Sequence, residues 1–375
     1  MSDQVRAALA TIVEGGTLSM DEARGAMGAV MDGEATPAQL AALLMGLRMR
    51  GETVQELAGF AAAMRERVVR VDAPDGAIDV VGTGGDGSGT FNISTAAALV
   101  VAAAGVPVAK HGNRAITSRA GSADVLDALG VRVDHDAASA SAALREHGFA
   151  FLFAPGFHPA MRHAGPTRRE IGVRTAFNLL GPLTNPAGTR RQVLGVADPA
   201  AAERIADVAR LLGTERTFVI HGEGVDELPL DGSGVLYDVR PERIERRAVD
   251  ALAFGLPRAA TSRLAGGAPD ENARMIEAVL RGEPGVRRDV VVLNAGAAFF
   301  VAGASASLED GVERAALTID AGLVIELLEK LRMERRAADA AATDATATEA
   351  AATEAAGATA LAEASSAAGG AGSPA

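Results

Sequence analysis

Gly82-Thr-Gly-Gly-Asp-Gly-Ser-Gly-Thr90-Phe-Asn-Ile-Ser-Thr95 is the stretch whose reading decides the fold. It follows a short apolar run, Ile78-Asp-Val-Val81, and leads into Ser94–Ala104, which reads as a helix. Five of the eight residues from 82 to 89 are glycine. Glycine takes positive φ without steric cost and lets a ligand approach the main chain. A helix start adds unpaired N–H groups and partial positive charge, so strand, glycine loop and helix together make an anion site. A glycine-rich turn with Ser94 or Thr95 as helix cap is the plainer reading, but five glycines so close together favour phosphate. Gly82, Gly84 and Gly87 fit the dinucleotide fingerprint, which also needs an acidic residue about 20 positions on. Here the next strand, expected over Val106–Ala109, ends instead in Lys110-His111. A Walker A loop is excluded because Ser88, not lysine, follows Gly87.

Outward from the loop, strand-like runs recur at Gln192–Val196, Arg216–Ile220 and Asp289–Leu293, with helical stretches at Ala200–Leu212 and Asp270–Arg281. Alternating strands and helices predict an α/β domain with a mostly parallel central sheet. Residues 1–72 read as helices. Ser19/Glu22, Thr36/Gln39 and Thr53/Glu56 have capping-box spacing, and Pro37 falls at a first helical position. Three regions are therefore expected: a small all-helical domain over 1–72, a larger α/β domain over 73–336, and a disordered tail over 337–375. The tail is Ala, Thr, Glu, Gly and Ser with almost nothing to bury.

The composition narrows the function. There is no cysteine, so disulfides, thiolate zinc sites and cysteine nucleophiles are excluded, and a cytoplasmic location is expected. Any metal must sit on oxygen or imidazole. Formal net charge is -12, which disfavours nucleic acid. No apolar run approaches the roughly 18 residues of a membrane span, and the first residues do not resemble a secretion signal. Of 36 basic residues only Lys110 and Lys330 are lysine.

Three further motifs carry chemistry. Lys110-His-Gly-Asn-Arg114-Ala-Ile-Thr-Ser118-Arg-Ala-Gly-Ser122 gathers cations, hydroxyls and an amide after the second strand. Parallel-sheet proteins place ligands there. Singly, Ser122 could cap a helix and Arg114 could be a surface ion pair. His221-Gly-Glu-Gly-Val-Asp226-Glu227-Leu places adjacent carboxylates after another strand, where they can share a hard cation. Arg162-His-Ala-Gly-Pro-Thr-Arg168-Arg169-Glu-Ile-Gly-Val-Arg174-Thr offers arginines to an anion, or simply an exposed helical face.

In this order, GTGGDGSGTFNIST, KHGNRAITSRAGSADVLDALG, HPAMRHAGPTRREIGVRTAFNLLGPLTNP and VDEL resemble the anthranilate phosphoribosyltransferase family, from near the start to about Arg336. The resemblance implies a helical domain, partly built by residues near 165–190, beside an α/β domain, with substrates in the hinge cleft. It implies a homodimer joined through the helical domain. The implied reaction joins anthranilate to 5-phosphoribosyl 1-diphosphate (PRPP), with Mg2+, two ions per subunit. It places Gly82, Gly85, Asp86, Thr90, Asn92, Ile93, Ser94 and Thr95 around PRPP. It adds Lys110, His111, Gly112, Asn113, Arg114, Ala115, Ile116, Thr117, Ser118 and Ser122. Ser94, Asp226 and Glu227 match metal positions. Gly82, Asn113 and Arg168 match anthranilate contacts. Lys110, Asp226 and Glu227 are the expected catalytic groups.

The chemistry agrees with the resemblance. Diphosphate leaves readily once its charge is neutralised, and the ribosyl carbon becomes cation-like as it goes. No protein nucleophile is required, and His111 reads equally as a base or as a packed loop residue. Two alternatives stand beside this one. A pyrimidine nucleoside phosphorylase would cleave thymidine with phosphate. A non-catalytic nucleic-acid-binding relative would carry a basic surface.

Overall fold

The computed structural model describes residues 2–85, 87–115 and 119–344. Four helices open the chain: α1 (Asp3–Val13), α2 (Met20–Met31), α3 (Pro37–Arg50) and α4 (Val54–Glu66). All three expected capping boxes form, and Pro37 lies in the first turn of α3. Glu56 also accepts the Leu18 N–H at 2.9 Å and pairs with Arg50, so one buried carboxylate ties α3 and α4 to the turn before α2.

The α/β part runs β1 (Ile78–Gly82), α5 (Ile93–Ala103), β2 (Val108–Gly112), α6 (Ser122–Ala128), α7 (Ala137–His147) and β3 (Phe149–Phe153). A hinge segment carries α8 (Ala154–Phe157), α9 (Gly165–Ile171) and α10 (Phe177–Leu180). Then come β4 (Arg191–Gly195), α11 (Pro199–Leu211), β5 (Arg216–His221), β6 (Gly234–Val239) and β7 (Ile244–Val249). The chain closes with α12 (Pro269–Leu280), α13 (Val286–Ala302), α14 (Leu308–Asp320) and a helix over 323–344. The sheet order is β3-β2-β1-β4-β5-β6-β7; β1 to β5 are parallel and β6 and β7 antiparallel.

Alternation along the strands sorts the core. Val193, Phe218 and Ile220 face a cluster built with α5, α12, α13 and α14. Leu194 and Val219, one residue out of step, face the opposite cluster. That second cluster contains α11, the four N-terminal helices and the hinge residues Ala164, Ala176, Phe177, Leu180 and Leu183. The helical part and the outer sheet face therefore share one core.

Three findings differ from the sequence reading. Asp289–Leu293, expected as a strand, lies inside α13. A short β-branched run cannot be told from a buried helix by pattern alone, and α13 is buried on nearly every side. Strands β3, β6 and β7 are additions. The last helix runs past the expected boundary at 337, on to 344, as its alanines favour, and Arg335 pairs with Asp127 at 2.6 Å. Residues 345–375 lie outside the described residues. Among the described residues no helix is long and apolar enough to cross a membrane.

Candidate functional site

The chain turns from one side of the sheet to the other between β1 and β4, and a doubly wound sheet binds ligands at such a crevice. The glycine loop leaves β1 here, with φ of 62° at Gly84, 63° at Gly85, 76° at Gly87 and 65° at Gly89. Those values suit glycine. Asp226 sits over the crevice, and its Oδ2 accepts the Gly84 N–H at 2.9 Å. A Cβ on Gly82 would lie 2.2 Å from Asp226 Oδ2, and one on Gly195 would lie 1.7 Å from the Asp226 carbonyl. Bare backbone at both strand ends is what lets the carboxylate lie there.

A cavity of about 460 Å³ opens above the loop. Its wall holds Lys110, Ser94, Thr95, Asp226 and Glu227. Lys110, only 2% exposed, donates from Nζ to the Val80 carbonyl at 2.6 Å and lies 3.5 Å from Ser94 Oγ. Burial pushes its ammonium down, while Asp79 first, then Glu227 and Asp226, pull it back up. Thr95 Oγ1 is buried with no hydrogen-bond partner among the described residues, and Thr95 lines the same cavity. Among the described residues no three His, Cys, Asp or Glu side chains form a metal cage. Asp226, Glu227 and the Ser94 hydroxyl instead make an open set of hard oxygen donors on one cavity wall. Mg2+ takes such a set, because it is held by one or two carboxylates while keeping water and phosphate ligands. These residues fit it.

A second cavity, about 670 Å³, lies on the hinge side. The two share Gly82, His111, Gly112, Asn113 and Asn178 as a common wall. The second is lined by Pro155, Pro159, Met161, Phe177 and Pro182, with His158 and Arg168. The Arg168 guanidinium lies 4.7 Å from the Phe177 ring centroid, and burial pushes its pKa down. No carboxylate lies within ion-pair distance of Arg168 among the described residues. Burial takes His111 down to about 3, with His158 adding to the shift, and takes His158 down to about 4. The rings lie 5.1 Å apart, both neutral at pH 7. His111 Nδ1 faces the Gly181 carbonyl at 3.2 Å, so Nδ1 carries the proton. So poorly basic an imidazole reads as a packed wall.

Gly82, Gly85, Thr90, Asn92, Ser94, Thr95, Lys110, His111, Gly112, Asn113, Ala115, Ser122, Asp226 and Glu227 all line the first cavity. Asp86, Ile116, Thr117 and Ser118 lie outside the described residues. Ile93 differs from expectation: its side chain, 2% exposed, packs in the core, because this turn of α5 faces the sheet. Arg114 lines the cavity, but its guanidinium is held by Asp124 at 2.9 Å, the surface ion pair that the plainer reading allowed. Ser122 opens α6 as its first residue, with Gly121 as N-cap. Arg169 is exposed yet still reaches the rim of the second cavity.

Several residues were missed. Asp124 accepts N–H bonds from Ala115 and Gly121, on either side of residues 116–118. Arg174 donates to the Gly85 carbonyl and lines the first cavity. Asn272, from α12, donates to Asn92 Oδ1 at 3.0 Å, and Gly266 donates to the Gly89 carbonyl at 2.8 Å. Arg174 stood in a quoted motif and was open to discovery. Asn272 and Gly266, far along the chain, gave no signal.

Residues 74–325 match the glycosyl transferase family a/b domain, and residues 6–68 match the helical bundle domain of the same family. The chain is 49% identical to an anthranilate phosphoribosyltransferase of Azorhizobium caulinodans, over 89% of this chain and 98% of that one. It is 51% identical to one from Pelotomaculum thermopropionicum, over 87% and 95%. The crystal structure of the Thermus thermophilus enzyme superposes with a TM-score of 0.83 at 46% identity, covering 89% of this chain and all of that one. The Saccharomyces cerevisiae enzyme in complex with PRPP and Mg gives 0.82 at 25% identity, covering 90% and 99%.

Proposed function

We propose a mechanism from one premise: the chain belongs to the anthranilate phosphoribosyltransferase family. It is a magnesium-dependent pentosyltransferase of tryptophan biosynthesis. It transfers the 5-phosphoribosyl group of PRPP to the amine of anthranilate, giving N-(5-phosphoribosyl)anthranilate and diphosphate. The observation that carries the mechanism is the pair of cavities meeting at Gly82 and Asn113, one polar and anion-seeking, the other walled by apolar side chains with the half-buried Arg168 guanidinium against Phe177.

In this reading the glycine loop N–H groups, Thr95 and the Lys110 ammonium hold the diphosphate of PRPP, and the 112–122 loop holds the remainder of the sugar phosphate. Asp226, Glu227 and Ser94 hold magnesium, for which we propose two ions per subunit. When bound, magnesium supplies charge neutralisation to the departing diphosphate. The apolar walls of the second cavity grip the anthranilate ring, while Arg168 meets its carboxylate with two parallel hydrogen bonds. Asn113, at the junction, orients the amine. The bond from C1 of ribose to diphosphate breaks, the bond from nitrogen to C1 forms, and the diphosphate keeps the electron pair. The nitrogen becomes strongly acidic as it bonds, so its proton leaves without a dedicated strong base. The low basicity of His111 supports this.

The helical domain over 1–72, completed by about 165–190, and the α/β domain over 73–336 are proposed as the working halves of the cleft. We propose a cytoplasmic homodimer joined through the helical domain. Val13 at the end of α1 and Met49 in the last turn of α3, each 84% exposed, support that surface. The assay is direct. Protein, Mg2+, PRPP and anthranilate should extinguish anthranilate fluorescence. Thymidine phosphorolysis without anthranilate consumption would overturn the reading.

A further inference from the structure

Strands β1 and β2 are paired only at Ile78↔Val108, whereas β1 and β4 stay in register from Ile78 to Gly82. A parallel ladder continued by one rung would join the Val80 N–H to the Ala109 carbonyl and the His111 N–H to the Val80 carbonyl. Three of those four backbone groups are met by a side chain instead. His111 N–H donates to Asp79 Oδ1 at 3.2 Å. The Val80 carbonyl accepts Lys110 Nζ at 2.6 Å. The Ala109 carbonyl accepts Asn185 Nδ2 at 2.8 Å, and the same amide donates to Asp79 Oδ2 at 2.7 Å. Asn185 Oδ1 accepts the Ala187 N–H at 2.8 Å. Asp79 is fully buried and Asn185 nearly so.

Opening a ladder inside a core is costly unless every freed group is satisfied. Here three side chains satisfy three of the four, and the Val80 N–H adjoins the Asp79 carboxylate. The consequence lies one residue further on, where β2 delivers Lys110 to the first cavity and His111 to the wall the two cavities share. We propose that Asp79 and Asn185 are positioning residues for phosphoribosyl transfer: they hold the opened rung that aims Lys110 at the diphosphate and fix the end of β2 to the hinge segment. Asp79 also supplies the buried negative charge opposite Lys110, and burial pushes its own carboxyl up while Lys110 pulls it down. This rests on the reading of Lys110 as a diphosphate contact.

The test is a double-mutant cycle on Asp79 and Lys110, with PRPP and anthranilate varied separately. Lys110→Met alone tests the underlying reading: an unchanged KM for PRPP would remove Lys110 from the diphosphate site, whatever Asp79 does. Asp79→Asn should lower kcat/KM for PRPP by about tenfold or more, because a buried charge has lost its partner. The KM for anthranilate should stay within about twofold, since Arg168 and the apolar walls are untouched. In the Lys110→Met background the same Asp79→Asn change should cost no further PRPP efficiency and should raise the melting temperature, because a lone buried carboxylate is removed. Equal losses toward both substrates, or additive losses in the cycle, would make Asp79 mere strand glue and overturn the proposal. If Asp79→Asn alone does not fold, the double variant decides: its failure to fold overturns the proposal, and a folded double variant supports it. Asn185→Ala should reproduce the PRPP loss in milder form; a loss confined to anthranilate would detach Asn185 from it.

Discussion

The two cavities meet at a shared wall and are built by opposite means. The first is made of main chain and charge: four glycines with positive φ, a buried lysine and two carboxylates over a strand crevice. The second is made of packing: four prolines, Phe177, Met161 and two histidines kept neutral by burial, with Arg168 the cation beside Phe177. A strongly charged, hydrated leaving group needs donors and counter-charge. A flat aromatic acid needs walls and a single partner for its carboxylate. The difference between the cavities follows the difference between the two substrates.

The hardest blow to that contrast is struck in the first cavity. Asp226→Asn with Glu227→Gln should lower turnover by at least about 10²–10³-fold, because both proposed carboxylate ligands for magnesium lose their charge. The fold should survive, since an asparagine oxygen can still accept the Gly84 N–H. Circular dichroism and steady-state rates at low magnesium check this, and near-normal turnover there would break the assignment of the first cavity.

The second cavity is sharpened by Arg168→Ala. Loss of one charged hydrogen-bonded contact should weaken anthranilate use by about 1.5–3 kcal/mol. The PRPP constant should hardly move, because its phosphates rest on the glycine loop. Kinetics with each substrate varied in turn separate the two, and the reverse pattern would exchange the roles of the cavities.

The mildest test is a pH scan of stability. His158 titrates near 4 when folded, below its ordinary 6.5. The unfolded chain therefore takes a proton first as pH falls, and the stability linked to this group, complete above about 6.5, drains away down to about 4. For His158 the loss is up to about 3 kcal/mol. His158→Asn should flatten that part of the curve of melting temperature against pH, and parallel curves would show that the ring is not buried neutral.

Legibility followed the same division. The glycine loop, the Lys110 segment and the Asp226-Glu227 pair are contiguous, and contiguous backbone chemistry leaves a mark in sequence. The capping boxes of α2, α3 and α4 were readable for the same reason. Ile93 looked like part of the loop because it sits among loop residues; only the turn of α5 shows that it faces inward. Asp79 looked like an ordinary strand residue, and its value comes from a rung missing between two strands about 30 residues apart. Asp289–Leu293 carried a strand's composition inside a helix buried nearly all round. Asn272 reaches the site from a remote element, and no local pattern foretells that.

One feature of the core bears on how such enzymes can be recombined. The two family matches part between 68 and 74, which invites a chimera cut there. The cluster that holds α1 to α4 does not stop at that seam; it continues through Phe177 and Leu183 into α11 and the outer faces of β4, β5 and β6. Arg65, on α4, reinforces the join by donating to the Leu183 carbonyl at 2.6 Å. A helical bundle borrowed from a relative would thus meet a foreign surface along its whole underside. Moving the bundle together with the hinge segment and α11 carries most of that core across and leaves the outer faces of β4, β5 and β6 as the new join.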